Sequence, residues 1–245
     1  MAEWLASHEE DHTGAAAELN QYWYSADTIG TLLNVVRENV LHAAGEGRLD
    51  VAFVSTPSLF YGLSEEERRN SRVLDFDESL GDGVIKYDYN YPTTVPDELR
   101  GAFECVVIDP PFITSDVWRL YAETAHVLLR PGGKVMLTTV IENATLLADI
   151  LPGGVRPHIF MPSIPHLPYQ YAAYTNFNAP RLAKPNPEVP GFDPEAFLAS
   201  ASASVARDDE PPIRGAGFAP VDFEEMIRRA ELEEAARMAA AAGGT

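Results

Sequence analysis

The chain has 245 residues, 46% of them hydrophobic, with 18 basic against 37 acidic side chains and a formal net charge of -19. That length and apolar content suffice for one well-formed core, while the charge repels phosphate backbones, disfavours capture of DNA or RNA by this chain alone and suits a basic partner. Cys105 is the only cysteine, which excludes an intramolecular disulfide and a zinc site built from thiolates and fits a reducing cytosol.

In chain order, residues 1–18 form an acidic N-terminal segment; its first eleven carry four acidic residues and no long apolar run, so neither a secretory signal nor a transit peptide is expected. No other stretch is long and apolar enough to span a bilayer, and a soluble cytoplasmic protein is expected. Ile29, Leu32, Leu33, Val36, Val40 and Leu41 recur at helical spacing and predict an amphipathic helix over 25–44, capped by Ser25 or Asp27. Leu49 to Val54 is short, apolar and rich in β-branched and aromatic residues, the pattern of a buried parallel strand. A weaker helix over 58–70, a strand over 72–76 and a short strand over 84–87 follow, and Phe103 to Ile108 is the clearest strand of all. Then come a helix over 115–129, a turn at Arg130-Pro131-Gly132, a strand over 133–139 and a helix from about 143 to 150. Strand-like pieces at 158–161 and 172–177 are expected as an antiparallel pair at one sheet edge. The alternation of strand and helix predicts a doubly wound, mostly parallel α/β sheet in a domain over 19–183, with ligands at the carboxyl ends of the strands. From 184 to 245 the composition shifts to Pro, Ala, Ser and acid, an acidic C-terminal extension read as linker or wrapping segment with a helix at 221–241. That extension holds 6 basic and 12 acidic residues, so the rest of the chain is strongly acidic by itself.

The chemistry-bearing motif is Asp109-Pro110-Pro111-Phe112, directly after the clearest strand. A carboxylate and a neighbouring carbonyl there accept hydrogen bonds from an amino group and aim its lone pair, the prolines hold the turn rigid, and Phe112 stacks on a planar group or walls off an alkyl chain. This Asp-Pro-Pro-aromatic form is associated with methylation of amino groups, adenine N6 above all and also protein amines. For the cofactor no glycine-rich fingerprint is present; Ser55-Thr56-Pro57-Ser58 after the first strand is the substitute, with hydroxyl and backbone donors. Asp75 or Asp77 after the second strand is the candidate for ribose hydroxyls, and Asp88, flanked by Tyr87 and Tyr89, for an adenine amino group. Taken singly, each of these acids reads as a solvated loop residue; their order on successive strands is what carries the assignment.

Gln21-Tyr22-Trp23-Tyr24-Ser25, Val54-Ser55-Thr56-Pro57-Ser58-Leu59, Tyr87-Asp88-Tyr89-Asn90-Tyr91-Pro92 and Asp109-Pro110-Pro111-Phe112 together resemble the eukaryotic lysine methyltransferases acting on translation elongation factor 1-alpha, first labelled N6-adenine DNA methyltransferases. The resemblance runs in order from about Leu19 to Tyr174. It implies a seven-stranded class I methyltransferase sheet, S-adenosyl-L-methionine as cofactor and N-methylation of lysine on elongation factor 1-alpha. It further implies that Tyr22, Trp23 and Tyr24 fold over the cofactor site and that Asp109 to Phe112 hold the lysine amine. Phe112 stands where tyrosine is common, which keeps stacking and removes a hydroxyl. Lysine must lose a proton before it attacks, so desolvation by Tyr22, Trp23, Tyr24, Phe112 and Tyr174, with Asp109 accepting or relaying the proton, is the expected chemistry.

Two other readings compete. One is a nucleic-acid adenine N6 methyltransferase, favoured by the motif and opposed by the acidity; the other is a catalytically silent homologue serving as an interaction module. His158 and His166 match no zinc spacing, so no metal is expected, and residues 162–174 are expected to wall the substrate side of the cleft. Cys105, inside an apolar strand, reads as a small core hydrophobe.

Overall fold

The structure is a computed structural model and describes residues 23–41 and 49–200, apart from 82, 166, 168, 169, 192, 194, 195 and 198. Tyr22, His166, Tyr169 and the helix expected at 221–241 therefore lie outside the described residues.

Helix α1 spans Ala26–Val36, capped by the Ser25 hydroxyl accepting the Thr28 amide, and widens into a π turn over Arg37–Leu41. Strand β1 is Leu49–Val54. The single helix expected over 58–70 is two: α2, Pro57–Gly62, and α3, Glu65–Arg68. The break lies at Leu63-Ser64, where Ser64 and Glu67 form a reciprocal capping box that starts a new helix. Glu67 also takes a two-pronged hydrogen bond from Arg37, at 2.6 and 3.0 Å, which holds its carboxyl down at about 2 and ties α3 to the end of α1.

Strands β2 (Arg72–Asp75), β3 (Val84–Lys86) and β4 (Phe103–Ile108) follow, then α4 (Ser115–Leu128), β5 (Leu129–Thr139), α5 (Ala144–Ile150), β6 (Arg156–Pro157) and β7 (Ala172–Thr175). Two boundaries differ from the sequence reading. The expected turn at Arg130-Pro131-Gly132 is a bulge within β5: Phe103 pairs with Leu129 and Cys105 with Lys134, so the intervening residues loop out, Gly132 at φ +75°. The strand expected at 158–161 lies earlier, at Arg156–Pro157.

The sheet order is β3-β2-β1-β4-β5-β7-β6, seven strands in which the first five are parallel and β7 alone is reversed, pairing antiparallel with both β5 and β6. This is the order of a class I methyltransferase sheet, including the antiparallel pair at one edge. The two-residue alternation of the central strands divides the core between two faces. Ala52, Val54, Val106, Ile108, Val135 and Leu137 face α4 and α5 through Trp118, Tyr121, Ala125, Leu128 and Leu147. Val51, Phe53, Cys105, Val107 and Met136 face α1 and α2 through Ile29, Leu32, Leu33, Val36, Leu59 and Phe60. Cys105 is fully buried there and burial pushes its thiol up to about 12, so it behaves as a small apolar residue. Among the described residues no helix is long and apolar enough to cross a membrane.

After α5 the chain also packs beyond Lys184. Asn186 is buried, Val189 lies against the core, and Phe197 is buried within it.

Candidate active site

The chain order reverses between β1 and β4, the place where an open α/β sheet leaves a crevice. The loops leaving these two strands are held side by side: Val54 pairs with Ile108, and the Asp109 amide donates to the Val54 carbonyl at 3.3 Å. An open cleft lies over them. Its lining combines Ser55, Thr56, Pro57 and Ser58 from the β1 loop, Asp75, Phe76 and Asp77 from the end of β2, and Tyr87 and Tyr89 after β3. Asp109, Pro110 and Pro111 come from the end of β4, Trp23 from the chain entering α1, and Tyr121, Ile164, Leu167 and Tyr171 complete the wall.

The β1 loop does with serine what a glycine-rich turn does elsewhere. Ser55 is the one described non-glycine residue with positive φ, +53°, and its Oγ lies 2.7 Å from the Tyr121 hydroxyl of α4. The Thr56 hydroxyl is committed to the Val54 and Val107 carbonyls, at 2.9 and 3.1 Å, so it pins the loop to β1 and β4 instead of offering a donor to the cleft. Tyr121 also packs edge-on to Tyr87 at 5.9 Å and against Tyr89 at 5.7 Å. These rings make one side of the cleft flat and apolar.

Asp75 and Asp77 have different surroundings. Asp75 is buried at 6% exposure, accepts the Asp77 amide at 3.0 Å, and is raised to about 7, chiefly by burial. Asp77 spends Oδ1 on the Ser79 amide and hydroxyl, capping the short helix that follows. Asp88 is not among the cleft-lining residues: its Oδ1 closes a local turn with the amide and side chain of Asn90, both at 2.9 Å. The acid expected to meet an adenine amino group thus organises the Tyr89 loop, and the tyrosines beside it reach the cleft.

Asp109 is half-buried, with its carboxyl held by two hydroxyls. It accepts the Tyr24 hydroxyl at 2.5 Å on Oδ2 and the Thr138 hydroxyl at 3.0 Å on Oδ1, and burial raises it to about 7 against the lowering effect of both bonds. Tyr24 was expected over the cofactor; it lies beneath the cleft instead, buried at 3% exposure, because its hydroxyl is drawn to Asp109 and to Thr138, 2.6 Å away. Trp23, one residue earlier, faces the cleft. Phe112 is also absent from the cleft lining and packs, half-buried, against the core. The loop is anchored beyond it, where Asn143 donates to the Ile113 carbonyl at 2.9 Å and to Thr139 at 3.1 Å. Tyr174, expected to help desolvate the amine, turns its hydroxyl to the Val140 carbonyl at 2.8 Å. The His158 ring meets the Thr175 hydroxyl at 2.7 Å, a structural bond on the edge strands.

Phe76 and Tyr121 belong to the cleft and were not singled out from sequence, while Ile164, Leu167 and Tyr171 lie in the 162–174 segment expected as its wall. Phe76 follows directly on Asp75 at the end of an apolar strand and could have been found from that adjacency. Tyr121 sits at core spacing on α4 and carries no separate signal.

Comparison with known proteins agrees with this architecture. The sequence model of the family described as "Probable N6-adenine methyltransferase" matches residues 15–179. EEF1A lysine methyltransferase 1 of Mus musculus is 36% identical over 169 residues, covering 66% of this chain and 75% of that protein. The protein of the same name from Danio rerio is 30% identical over 67% of this chain and all of its own length. Protein-lysine N-methyltransferase EFM5 of Saccharomyces cerevisiae is 32% identical over 47% of this chain and 48% of its own. With the motifs in order along β1, β2 and β4 and the family match spanning most of the described domain, the chain belongs to this methyltransferase family, alongside the EEF1A lysine methyltransferases.

Proposed function

We propose that this protein is an S-adenosyl-L-methionine-dependent protein-lysine N-methyltransferase acting on elongation factor 1-alpha in the cytosol. The observation that carries the reading is one cleft with a carboxylate at each of two strand ends, the buried Asp75 after β2 and the half-buried Asp109 after β4. The donor and acceptor set suits the cofactor. A buried acceptor at Asp75 matches a ribose diol, Phe76, Tyr87 and Tyr89 match a purine, and the Ser55 to Ser58 loop matches the amino-acid end. When bound, the cofactor supplies an electrophilic methyl group.

The chain's own residues do the rest. Pro110 and Pro111 fix the turn that presents the amine, and its backbone carbonyls accept an N–H. Trp23 and Tyr171 exclude water, which favours the neutral amine over the ammonium. Asp109 accepts the proton that lysine must lose. The chain's strong acidity favours encounter with a basic protein surface and opposes nucleic acid.

The test is transfer of labelled methyl in parallel to elongation factor 1-alpha, unmethylated DNA and unmethylated RNA, with Asp109→Ala as control. Label on the protein, lost in the variant, is the expected result; label on nucleic acid alone would establish adenine methylation instead. Transfer to neither substrate, with no cofactor bound, would identify a silent homologue.

A further inference from the structure

Three side chains meet at Asp109 through three oxygen–oxygen contacts, and these need more hydrogen than an ionised carboxylate leaves them. The Tyr24 hydroxyl is 2.5 Å from Asp109 Oδ2, the Thr138 hydroxyl 3.0 Å from Asp109 Oδ1, and the two hydroxyls are 2.6 Å from each other. With Asp109 ionised there are two hydrogens for three contacts. If both hydroxyls donate to the carboxylate, the Tyr24 and Thr138 oxygens face each other at 2.6 Å with nothing between them. One added proton closes the ring: protonated Oδ2 donates to Tyr24, Tyr24 to Thr138, and Thr138 to Oδ1. Every contact then holds one hydrogen.

We propose that Tyr24 and Thr138 are the positioning residues that make Asp109 the proton acceptor of the reaction, the three side chains forming a closed ring that gains one proton when the target amine loses one. This rests on the lysine reading above. An N–H bond of the substrate ammonium breaks, its electron pair stays on nitrogen as the attacking lone pair, and the proton goes to the Asp109 carboxylate. The carboxyl later returns that proton to solvent.

The surroundings suit this role. Tyr24 comes from the chain entering α1 and Thr138 from β5, so two elements on opposite sides grip one carboxylate at the end of β4. Tyr171, ahead of β7, is the further titratable group that bears on Tyr24, and Asp75 at the end of β2 faces the same cleft. None of these is a cation that would hold Asp109 permanently ionised. A carboxylate of ordinary acidity lies about six units below a lysine amine and is a poor acceptor from it, whereas burial at this position brings Asp109 up to about 7. The ring also predicts what asparagine does. In Asp109→Asn the amide N–H replaces the added proton and Oδ1 still accepts from Thr138, so the ring closes in a form unable to take up a proton.

The experiment follows the carboxyl carbon of Asp109 by 13C NMR in aspartate-labelled protein, assigned by its loss in Asp109→Asn. Kcat/KM is measured against pH on elongation factor 1-alpha in the same proteins. The expected result is a wild-type midpoint near neutrality, lowered in Tyr24→Phe and Thr138→Val, which each open the ring and so remove more hydrogen bonds from the protonated form than from the ionised one. Thr138→Ser, which keeps the hydroxyl, restores it. The acidic limb of the rate profile should move down by about the same amount in Tyr24→Phe, and Asp109→Asn should bind cofactor while losing about a hundredfold or more in turnover. A wild-type midpoint in the ordinary carboxylate range, or one that Tyr24→Phe leaves unmoved or raises, as loss of a plain donor would, would overturn the ring. If wild-type protein transferred no methyl to elongation factor 1-alpha, the substrate reading would fail while the titration still decided the ring.

Discussion

Asp75 accepts the backbone amide of Asp77 at 3.0 Å while Asp77 turns its own carboxylate to Ser79, so two acids at one strand end have separate tasks. Asp75 is the one with a buried carboxyl open to the cleft, and it is the acceptor for a ribose diol. Asp75→Asn should weaken cofactor binding by roughly 10- to 100-fold, the value of charge-assisted hydrogen bonds, whereas Asp77→Asn should cost only a few-fold. Isothermal titration of both variants decides the matter; equal losses would mean that the carboxylates share the ligand.

The same raised acid makes binding pH-dependent. A ligand that donates hydroxyls prefers ionised Asp75, whose carboxyl is raised to about 7 when the cleft is free of ligand. Cofactor affinity should therefore be flat above pH 7 and fall about tenfold per unit below it, with one proton released on binding at pH 6. Asp75→Asn should abolish that slope.

Folding stability should run in the opposite direction. Asp75 and Asp109 are both raised to about 7 by burial, so the folded state holds their protons more tightly than the unfolded chain. Between the ordinary carboxylate value near 4 and pH 7 the folded state therefore binds more protons, and stability falls as pH rises through that window. Glu67, held at about 2, contributes stability that is fully present above its unfolded value near 4.5 and is lost only in acid, so it does not mask the trend. Asp109→Asn, matched to the neutral ring, should unfold at higher temperature than wild type at pH 8, by a margin worth of order 1–3 kcal/mol, and show little gain at pH 4. Thermal unfolding at the two pH values is the check.

How far sequence reaches is visible at these same residues. Leu49–Val54 and Phe103–Ile108 were readable to the residue because a central parallel strand is apolar on both faces. The cap of α1, narrowed to Ser25 or Asp27, and the acids at strand ends were readable because each follows a local rule; the structure chooses Ser25. The Tyr24–Asp109 bond spans 85 positions and obeys no local rule, so only folding shows that this tyrosine lies beneath the cleft. Asn186 was hidden for a different reason: it sits in a proline-rich segment whose composition reads as linker, and its partners are backbone and side-chain groups far along the chain.

Ser55 offers a test of the loop that replaces a glycine-rich turn. Its backbone is left-handed, at φ +53°, and its hydroxyl meets Tyr121. Ser55→Ala keeps the strain and loses the bond, at about 1 kcal/mol. Ser55→Val adds a branched side chain to a conformation it resists, which should cost a further 1–2 kcal/mol and displace the loop from the cleft. Denaturant unfolding of both variants should rank them in that order, and equal stability would mean that the loop relaxes freely.

The last prediction concerns the segment past Lys184. Asn186 is buried at 5% exposure; its amide donates to the Met161 carbonyl at 2.9 Å and to the Thr28 hydroxyl at 3.3 Å, and Glu188 accepts the hydroxyls of Ser25 and Thr28 at 2.5 and 3.1 Å. Ser163 joins the same node, its amide on Thr28 and its carbonyl on the Ser25 amide. These bonds fix the chain carrying Trp23 to the loop carrying Ile164, two parts of one cleft wall. Asn186→Ala strands a buried carbonyl and should cost about 1–3 kcal/mol in unfolding free energy. Glu188→Gln, at an exposed position that still accepts hydrogen bonds, should cost well under that. Because the wall loosens while Asp109 is untouched, Asn186→Ala should raise KM more than it lowers kcat, measured by methyl transfer at saturating and limiting cofactor. A fall in kcat alone would place the segment's influence on the reacting groups instead of on the wall.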